Sequence, residues 1–300
     1  MRILVTGAGG MLAHALVPVL EQDHEVCGLT RKDCDLCDEN RVRKMFLRQQ
    51  PDMVVHLAAF TNVDGCELDP ERAKAWNGLA TLNVAKAAAK IEAALLYTST
   101  DYVFDGQAIR PYSEDAQANP LSVYGKTKLM GEKYVQEMVE RSFIVRTSWL
   151  YGSGGRNFVS TVLGLARETS ELRVVNDQRG SPTYTRHLAE KLAALVMTRE
   201  YGIYNMTASG DCTWFEFARK ILDSYGLQET HVVPISTSEC NRPALRPAYS
   251  VLANQRLSSM GMGPLPHWEE GLENYLAEIR DGGNHADKLI RNRPAEARVV

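Results

Sequence analysis

Five short runs in the first half of the chain, residues 3–5, 26–29, 53–57, 94–97 and 143–146, are apolar at nearly every position. A strand with one wet face alternates apolar and polar side chains. Unbroken apolar runs of this length mark strands buried on both faces, as in a parallel sheet covered by helices. Between them lie stretches with the spacing of amphipathic helices, such as 71–90 and 120–140. The alternation predicts an α/β domain. Crossovers between parallel strands are right-handed, so the sheet is expected to be doubly wound.

Beyond Trp149 the pattern loses its regularity. Helices are expected over 157–167, 186–198, 214–225 and 267–279, and short strands over 172–175 and 202–205. A Pro-rich stretch covers 234–247 and a turn 261–266. The chain therefore divides into a first domain over 1–150, to which segments from about 157–200 return, and a smaller, discontinuous mixed α/β domain over 151–280. Residues 281–300 carry little periodicity and are expected to form a flexible tail.

Composition narrows the function classes. The 300 residues are 44% hydrophobic and 24% charged, which excludes disorder for the bulk of the chain. Lys and Arg number 34 against 37 Asp and Glu, a net charge of −3. No basic excess points to nucleic acid, so an anionic ligand must be held by a local site. No apolar run approaches the roughly 18 residues that cross a bilayer. The N-terminal MRILVTGAGG reads as strand and turn, not as a signal peptide. A cytoplasmic protein without membrane partners is expected, and there disulfides are disfavoured. Cys34 and Cys37 form a C-x-x-C, but no second pair or histidine pair accompanies it, so no metal site is expected.

Candidate chemistry begins where the first strand ends. Gly7-Ala8-Gly9-Gly10-Met11-Leu12-Ala13 fits G-x-x-G-x-x-A. Gly7 permits a tight turn, Gly10 lets backbone approach a pyrophosphate, and Ala13 keeps the helix close to the sheet. The amides at the helix start then favour the anion. Thr30-Arg31-Lys32 ends the second strand, where a NAD site carries an acid and an NADP site a cation. Arg31 and Lys32 are read as a cradle for the 2′-phosphate of NADPH, with Asp35 and Leu36 flanking the adenine.

Tyr124 and Lys128 stand four apart, on one face of a helix. An ammonium beside a phenol is expected to lower its pKa from the ordinary value of about 10 and make it a usable acid or base. Thr100 ends the fourth strand, at the sheet edge where ligands of open parallel sheets bind.

GAGGMLA (7–13), HLAA (56–59), STDYVFDG (99–106) and YGKTKLMGE (124–132) resemble the extended short-chain dehydrogenase/reductases. DCDLCD (33–38), AFTNVDGC (59–66), RTSWLY (146–151), NDQRGSPTY (176–184) and RPAYSVL (246–252) are similar to the dTDP-4-dehydrorhamnose reductases among them. The resemblance covers residues 1 to about 280. It implies a Rossmann-type fold, a substrate-binding C-terminal domain and a homodimer. It implies reduction of the C4 ketone of a dTDP-4-keto-6-deoxy-L-hexose by NADPH, with NADH as a second coenzyme. The product would be dTDP-L-rhamnose, for cell-surface polysaccharide. In that scheme Tyr124 protonates the nascent alkoxide, Lys128 tunes Tyr124, and Thr100 holds the carbonyl. Gly7, Gly10, Met11, Leu12, Ala58 and Ala59 belong to the cofactor site, as do Tyr124 and Lys128. Thr61, Val63, Asp101, Tyr102 and Trp149 line the sugar pocket, and Arg242 and Arg246 take the sugar-nucleotide diphosphate.

The chain departs from the family in NRPALRP (241–247), where Leu245 stands at a position that is often arginine. Thr100-Asp101-Tyr102 lacks the Asp-Glu pair of the 4,6-dehydratases, which favours a plain reductase. Two alternatives stay open: a reductase yielding another C4 epimer, such as a 6-deoxytalose, and a non-catalytic NADP-binding regulator like the β subunit of methionine adenosyltransferase.

Overall fold

The structure, a computed structural model, describes residues 1–281, so the tail expected over 281–300 lies outside the described residues except for Asp281. The first half alternates strand and helix: β1 (Arg2–Thr6), α1 (Met11–Leu20), β2 (Glu25–Leu29), α2 (Glu39–Gln49) and β3 (Met53–His56). Short helices α3 (Val63–Leu68) and α4 (Pro70–Ala73), a π-helical segment (Lys74–Leu79) and α5 (Ala80–Lys90) follow. Then come β4 (Ala94–Thr100), α6 (Val123–Met138) and β5 (Ser142–Thr147). The second half holds β6 (Leu150–Tyr151), α7 (Phe158–Ala166), β7 (Glu171–Val175), β8 (Arg179–Gly180), β9 (Thr183–Tyr184), α8 (Thr185–Val196) and β10 (Gly202–Asn205). It closes with β11 (Ala208–Ser209), β12 (Cys212–Thr213), α9 (Trp214–Tyr225), β13 (His231–Ile235), α10 (Gln255–Ser259), β14 (Leu265–His267) and α11 (Trp268–Asp281).

Six parallel strands form the main sheet in the order β10-β5-β4-β3-β1-β2. The chain passes from β1 outward to β2, then crosses back to pair β3 on the other side of β1. That reversal opens a crevice at the carboxyl ends of β1 and β3, where doubly wound sheets take their ligands. Both faces are covered, as the unbroken apolar runs required. Ile3 and Val5 of β1 join a core with Leu12 and Leu16 of α1 and Leu188 and Leu192 of α8. Leu4, between them, joins Phe46, Val84, Ala88 and Val135 from α2, α5 and α6 on the opposite face.

A separate core lies beside the sheet, with Val159 and Leu163 of α7, Val174, Phe217 and Ile221 of α9, and Leu272 and Tyr275 of α11. Of the segments expected to return to the first domain, α8 packs with the sheet, whereas α7 packs in this second core; β10, which lies beyond those segments, also joins the sheet. The expected helix over 71–90 is interrupted by the π-helical turn. Asn77 lies fully buried in that turn. Its side chain accepts from the Phe60 amide at 2.7 Å and donates to the Phe60 carbonyl at 3.1 Å and to Thr127 Oγ1 at 3.2 Å. Such turns recur at functional sites, and this one pins the loop that follows β3. No helix among the described residues is long and apolar enough to cross a membrane.

Candidate active site

At the exit of β1, Gly7 adopts φ +74°, and a Cβ there would come within 2.6 Å of the Ala58 amide nitrogen. Only glycine lets the β1 and β3 exits pass this closely. The Gly10 amide closes the turn by donating to the Gly7 carbonyl at 2.9 Å, and Gly10 itself caps α1 without a side-chain acceptor. The first-turn amides of α1 are thus left to an outside anion. Met11 and Leu12 of that turn line a cavity of about 700 Å³ over the carboxyl ends of the strands.

Around the wall the structure gathers most of the residues expected there. Gly7, Gly10, Arg31, Asp35 and Leu36 line the end beside β1 and β2; Ala58, Ala59, Thr61 and Val63 follow from the loop after β3. Thr100, Asp101, Tyr102, Tyr124, Lys128 and Trp149 line the rest. Lys32 is exposed and does not line the cavity. Cys34 and Cys37 do, as free thiols that burial pushes above the usual range.

Helix α6 carries the reactive side chains. Ser122 caps it by accepting from the Gly125 amide at 3.2 Å. A Cβ on Gly125 would lie 2.1 Å from the Tyr102 carbonyl oxygen, so glycine lets the helix press against the turn after β4. Tyr124 then meets Tyr102 edge to face, with ring centroids 5.9 Å apart. Thr100 Oγ1 donates to Asp101 Oδ1 at 3.0 Å. Asp101 is buried, and that burial raises its carboxyl to about 7 against the lowering bonds of Ser250 and Thr100.

The electrostatics differ from the sequence expectation. Burial pushes the Tyr124 phenol above its ordinary range, and the Thr100 hydroxyl nearby only partly offsets it. Lys128 Nζ is turned toward the Thr98 carbonyl, to which it donates at 2.7 Å, and lies 4.2 Å above the Tyr97 ring. Burial lowers Lys128 to about 7, opposed by the charge of Glu132. Desolvation dominates, so the phenol stays protonated at neutral pH, the form a proton donor needs.

Glu132 continues the face of α6 begun by Tyr124 and Lys128, four residues further on. It accepts from Ser99 Oγ at 2.5 Å and from Arg146 Nε and Nη2 at 2.9 and 2.7 Å, a fully buried bidentate pair. Sequence reasoning missed it because its partner lies on β5. Behind the cavity His56 is neutral, its pKa driven down to about 3 by burial and by Lys128. Thr81 Oγ1 donates to the Asn77 carbonyl at 2.8 Å, so its interaction with His56 Nε2 at 3.1 Å is as acceptor. His56 Nδ1 is then left to accept from Thr6 Oγ1 at 2.6 Å.

The far wall is aromatic. Trp149 stacks on Trp214 with centroids 3.4 Å apart and planes 6° from parallel, and both line the cavity. Trp214 escaped the sequence reading because it begins an ordinary amphipathic helix. Arg242 and Arg246, expected on the substrate diphosphate, do not line the cavity. They donate to Asp64 Oδ2 at 3.2 and 2.9 Å. Burial works to raise the Asp64 carboxyl, but these two guanidiniums hold it below the usual range. Two cations sharing one carboxylate have a partner already. The cavity instead receives Arg156, which has no ion pair among the described residues. No group of three metal-ligating side chains occurs among the described residues.

The family model described as the RmlD substrate binding domain matches residues 1–281. The spore coat polysaccharide biosynthesis protein SpsK of Bacillus subtilis is 45% identical over 278 residues, 92% of this chain and 97% of that one. A dTDP-4-dehydrorhamnose reductase of Streptomyces griseus is 42% identical over 278 residues, 90% of this chain and 91% of that one. The crystal structure of dTDP-4-dehydrorhamnose reductase from Bacillus anthracis in complex with NADP superimposes with a TM-score of 0.90 at 39% identity, over 92% of this chain and 99% of that one.

Proposed function

The chain belongs to the family of the RmlD substrate binding domain, as an oxidoreductase of the dTDP-4-dehydrorhamnose reductase type, and from that premise we propose that it reduces the C4 ketone of a dTDP-4-keto-6-deoxy-L-hexose with NADPH to give dTDP-L-rhamnose. The observation that carries the reading is one cavity shared by the glycine turn at the start of α1 and by Thr100, Tyr124 and Lys128.

The residues fit a nicotinamide dinucleotide. The room that a Cβ at Gly7 would fill and the uncapped first turn of α1 suit a pyrophosphate. Arg31 stands where a 2′-phosphate would be met. When bound, the dinucleotide supplies the hydride. The protein's part is to hold the ketone and deliver a proton to its oxygen. Tyr124, protonated, is the donor, and such general acid catalysis contributes roughly 10²–10⁴-fold. Thr100 lines the same cavity, and its hydroxyl, which donates to Asp101 in the free site, is the second group placed to meet that oxygen. Lys128 brings positive charge to the site, which favours the phenolate left after transfer.

In this proposal the main sheet holds the dinucleotide, and the second core supplies the opposing wall. Trp149 and Trp214 give the sugar an apolar face. Arg156 is the cation available for the sugar nucleotide, in place of Arg242 and Arg246. The test is incubation of the protein with dTDP-4-keto-6-deoxyhexose and NADPH, following nicotinamide absorbance and the product sugar by NMR. Coenzyme oxidation with appearance of dTDP-L-rhamnose supports the proposal. A product with the opposite C4 configuration overturns the stereochemical part, and the absence of turnover overturns the whole.

A further inference from the structure

One hydrogen bond in the cavity points away from the reaction. A threonine hydroxyl has one proton to donate and two lone pairs that accept. Thr100 donates its proton to Asp101 Oδ1 at 3.0 Å, and its Oγ1 accepts from the Tyr102 amide at 3.2 Å. One lone pair is left and no proton, whereas a ketone oxygen needs a donor. Asp101 is itself an unusual acceptor. It is 2% exposed, and no cation pairs with it among the described residues. Its other oxygen, Oδ2, is sealed from solvent without a hydrogen-bond partner; the Ser250 hydroxyl lies nearby but completes no bond to it.

We propose that Asp101 is a positioning residue that works as a neutral carboxylic acid, donating its own proton to the free lone pair of Thr100 Oγ1 and so turning the Thr100 hydroxyl proton toward the ketone oxygen. This rests on the ketone-reduction reading above. With Asp101 protonated, every place on the hydroxyl is filled: Oγ1 accepts from the Tyr102 amide and from Asp101, and donates to the substrate. With Asp101 ionised, the charge-assisted bond from Thr100 is roughly twice as strong as a neutral one and keeps the hydroxyl proton. The ketone then meets Tyr124 alone. No proton passes along this chain, and Tyr124 remains the acid. Asp101 sets which way the Thr100 proton points.

The surroundings favour the neutral form. A carboxylate here would be a buried charge with no cation and with one oxygen lacking a donor, and both are costly. Tyr124 faces Asp101 from α6, Tyr102 stands beside it in the turn, and Ser250 comes from the segment after Arg246. Burial keeps both phenols protonated, so none of the three is charged at neutral pH. Asp64, Arg242 and Arg246 bear on Tyr102 and pair among themselves. Lys128 is engaged with the Thr98 carbonyl. The Asp101 carboxyl, raised to about 7 by burial, accordingly holds its proton below that pH and loses it above.

The experiment follows single-turnover oxidation of NADPH by dTDP-4-keto-6-deoxyhexose, at about pH 6 and about pH 8.5, in wild type, Asp101→Asn and Thr100→Val. Asparagine cannot ionise and offers an N–H in place of the acid proton. Losing one donor to a developing oxyanion costs about 10²–10³-fold. At the higher pH only about one Asp101 in thirty keeps its proton. Wild type is therefore expected to lose about thirtyfold more rate across the interval than either variant, all three sharing the part due to Lys128. Wild-type steepness in Asp101→Asn overturns the inference. Wild-type steepness in Thr100→Val overturns it as well, whether or not Asp101→Asn folds. In the free protein, the infrared band of a protonated carboxyl that titrates near neutral pH and is missing from Asp101→Asn supports the inference, and its absence from wild type at about pH 6 overturns it. A wild type that reduces no ketone overturns the reductase reading, and the infrared measurement still tests the protonation of Asp101.

Discussion

Replacing Glu132 by glutamine removes one charge from the most buried ion pair among the described residues while keeping its shape. Glu132 and Arg146 have side chains 1% and 4% exposed and meet through two bonds of 2.7 and 2.9 Å. The variant leaves Arg146 charged and out of water. Removing one partner of a buried pair costs about 3–5 kcal/mol, mostly for the stranded charge. The low end, about 3 kcal/mol, is expected here, because Arg146 Nη1 still donates to the Glu114 carbonyl at 3.1 Å and its guanidinium lies 5.2 Å over Phe104. At about 2 °C per kcal/mol for a chain of this size, Tm should fall by about 6 °C. Lys86→Gln serves as control. It breaks a pair at 3.3 Å between side chains 43% and 59% exposed, worth below about 1 kcal/mol. Calorimetry of the two variants reads the contrast. The pH profile gives a second readout. Glu132 opposes the burial that brings Lys128 down to about 7, so its loss moves Lys128 lower still and shifts the alkaline limb of activity toward acid. A Tm within about 2 °C of wild type in Glu132→Gln would refute the claim that this carboxylate neutralises Arg146.

Three shorter predictions follow from the same geometry. Tyr124→Phe should lower kcat by roughly 10²–10⁴-fold while NADPH still binds, and near-native turnover would remove Tyr124 as the acid. Because Lys128 is depressed from 10.5 to about 7, the unfolded chain binds the extra proton between those values. The penalty is therefore full below about pH 7 and relieved as pH rises toward 10.5. The stability gained by Lys128→Met should accordingly shrink over that window, as denaturant melts at several pH values would read. Gly7→Ala places a Cβ at φ +74° and 2.6 Å from the Ala58 amide; it should cost about 1–3 kcal/mol and weaken both coenzymes alike, measured by melting and titration.

What the sequence determined by itself was whatever short-range pattern encodes. Unbroken apolar runs announced buried parallel strands, because a strand wetted on one face would have to alternate. The turn at Gly7–Ala13 was legible because its glycines act through local backbone shape. Tyr124 and Lys128 were legible because four residues are one helical turn. Only the tertiary structure decided what those residues meet. Glu132 lies on the same helix face, but its meaning depends on Arg146 arriving from β5. Arg242 and Arg246 are expected from the sequence on a diphosphate, and only the fold shows that Asp64, far away in the chain, pairs with both. Lys32 stood beside Arg31 in sequence, yet its side chain is exposed and does not line the cavity. The sign of the Tyr124 shift was equally hidden. Spacing shows which residues share a helix face, but desolvation is set by the whole surrounding fold, and here it is the largest influence on Tyr124.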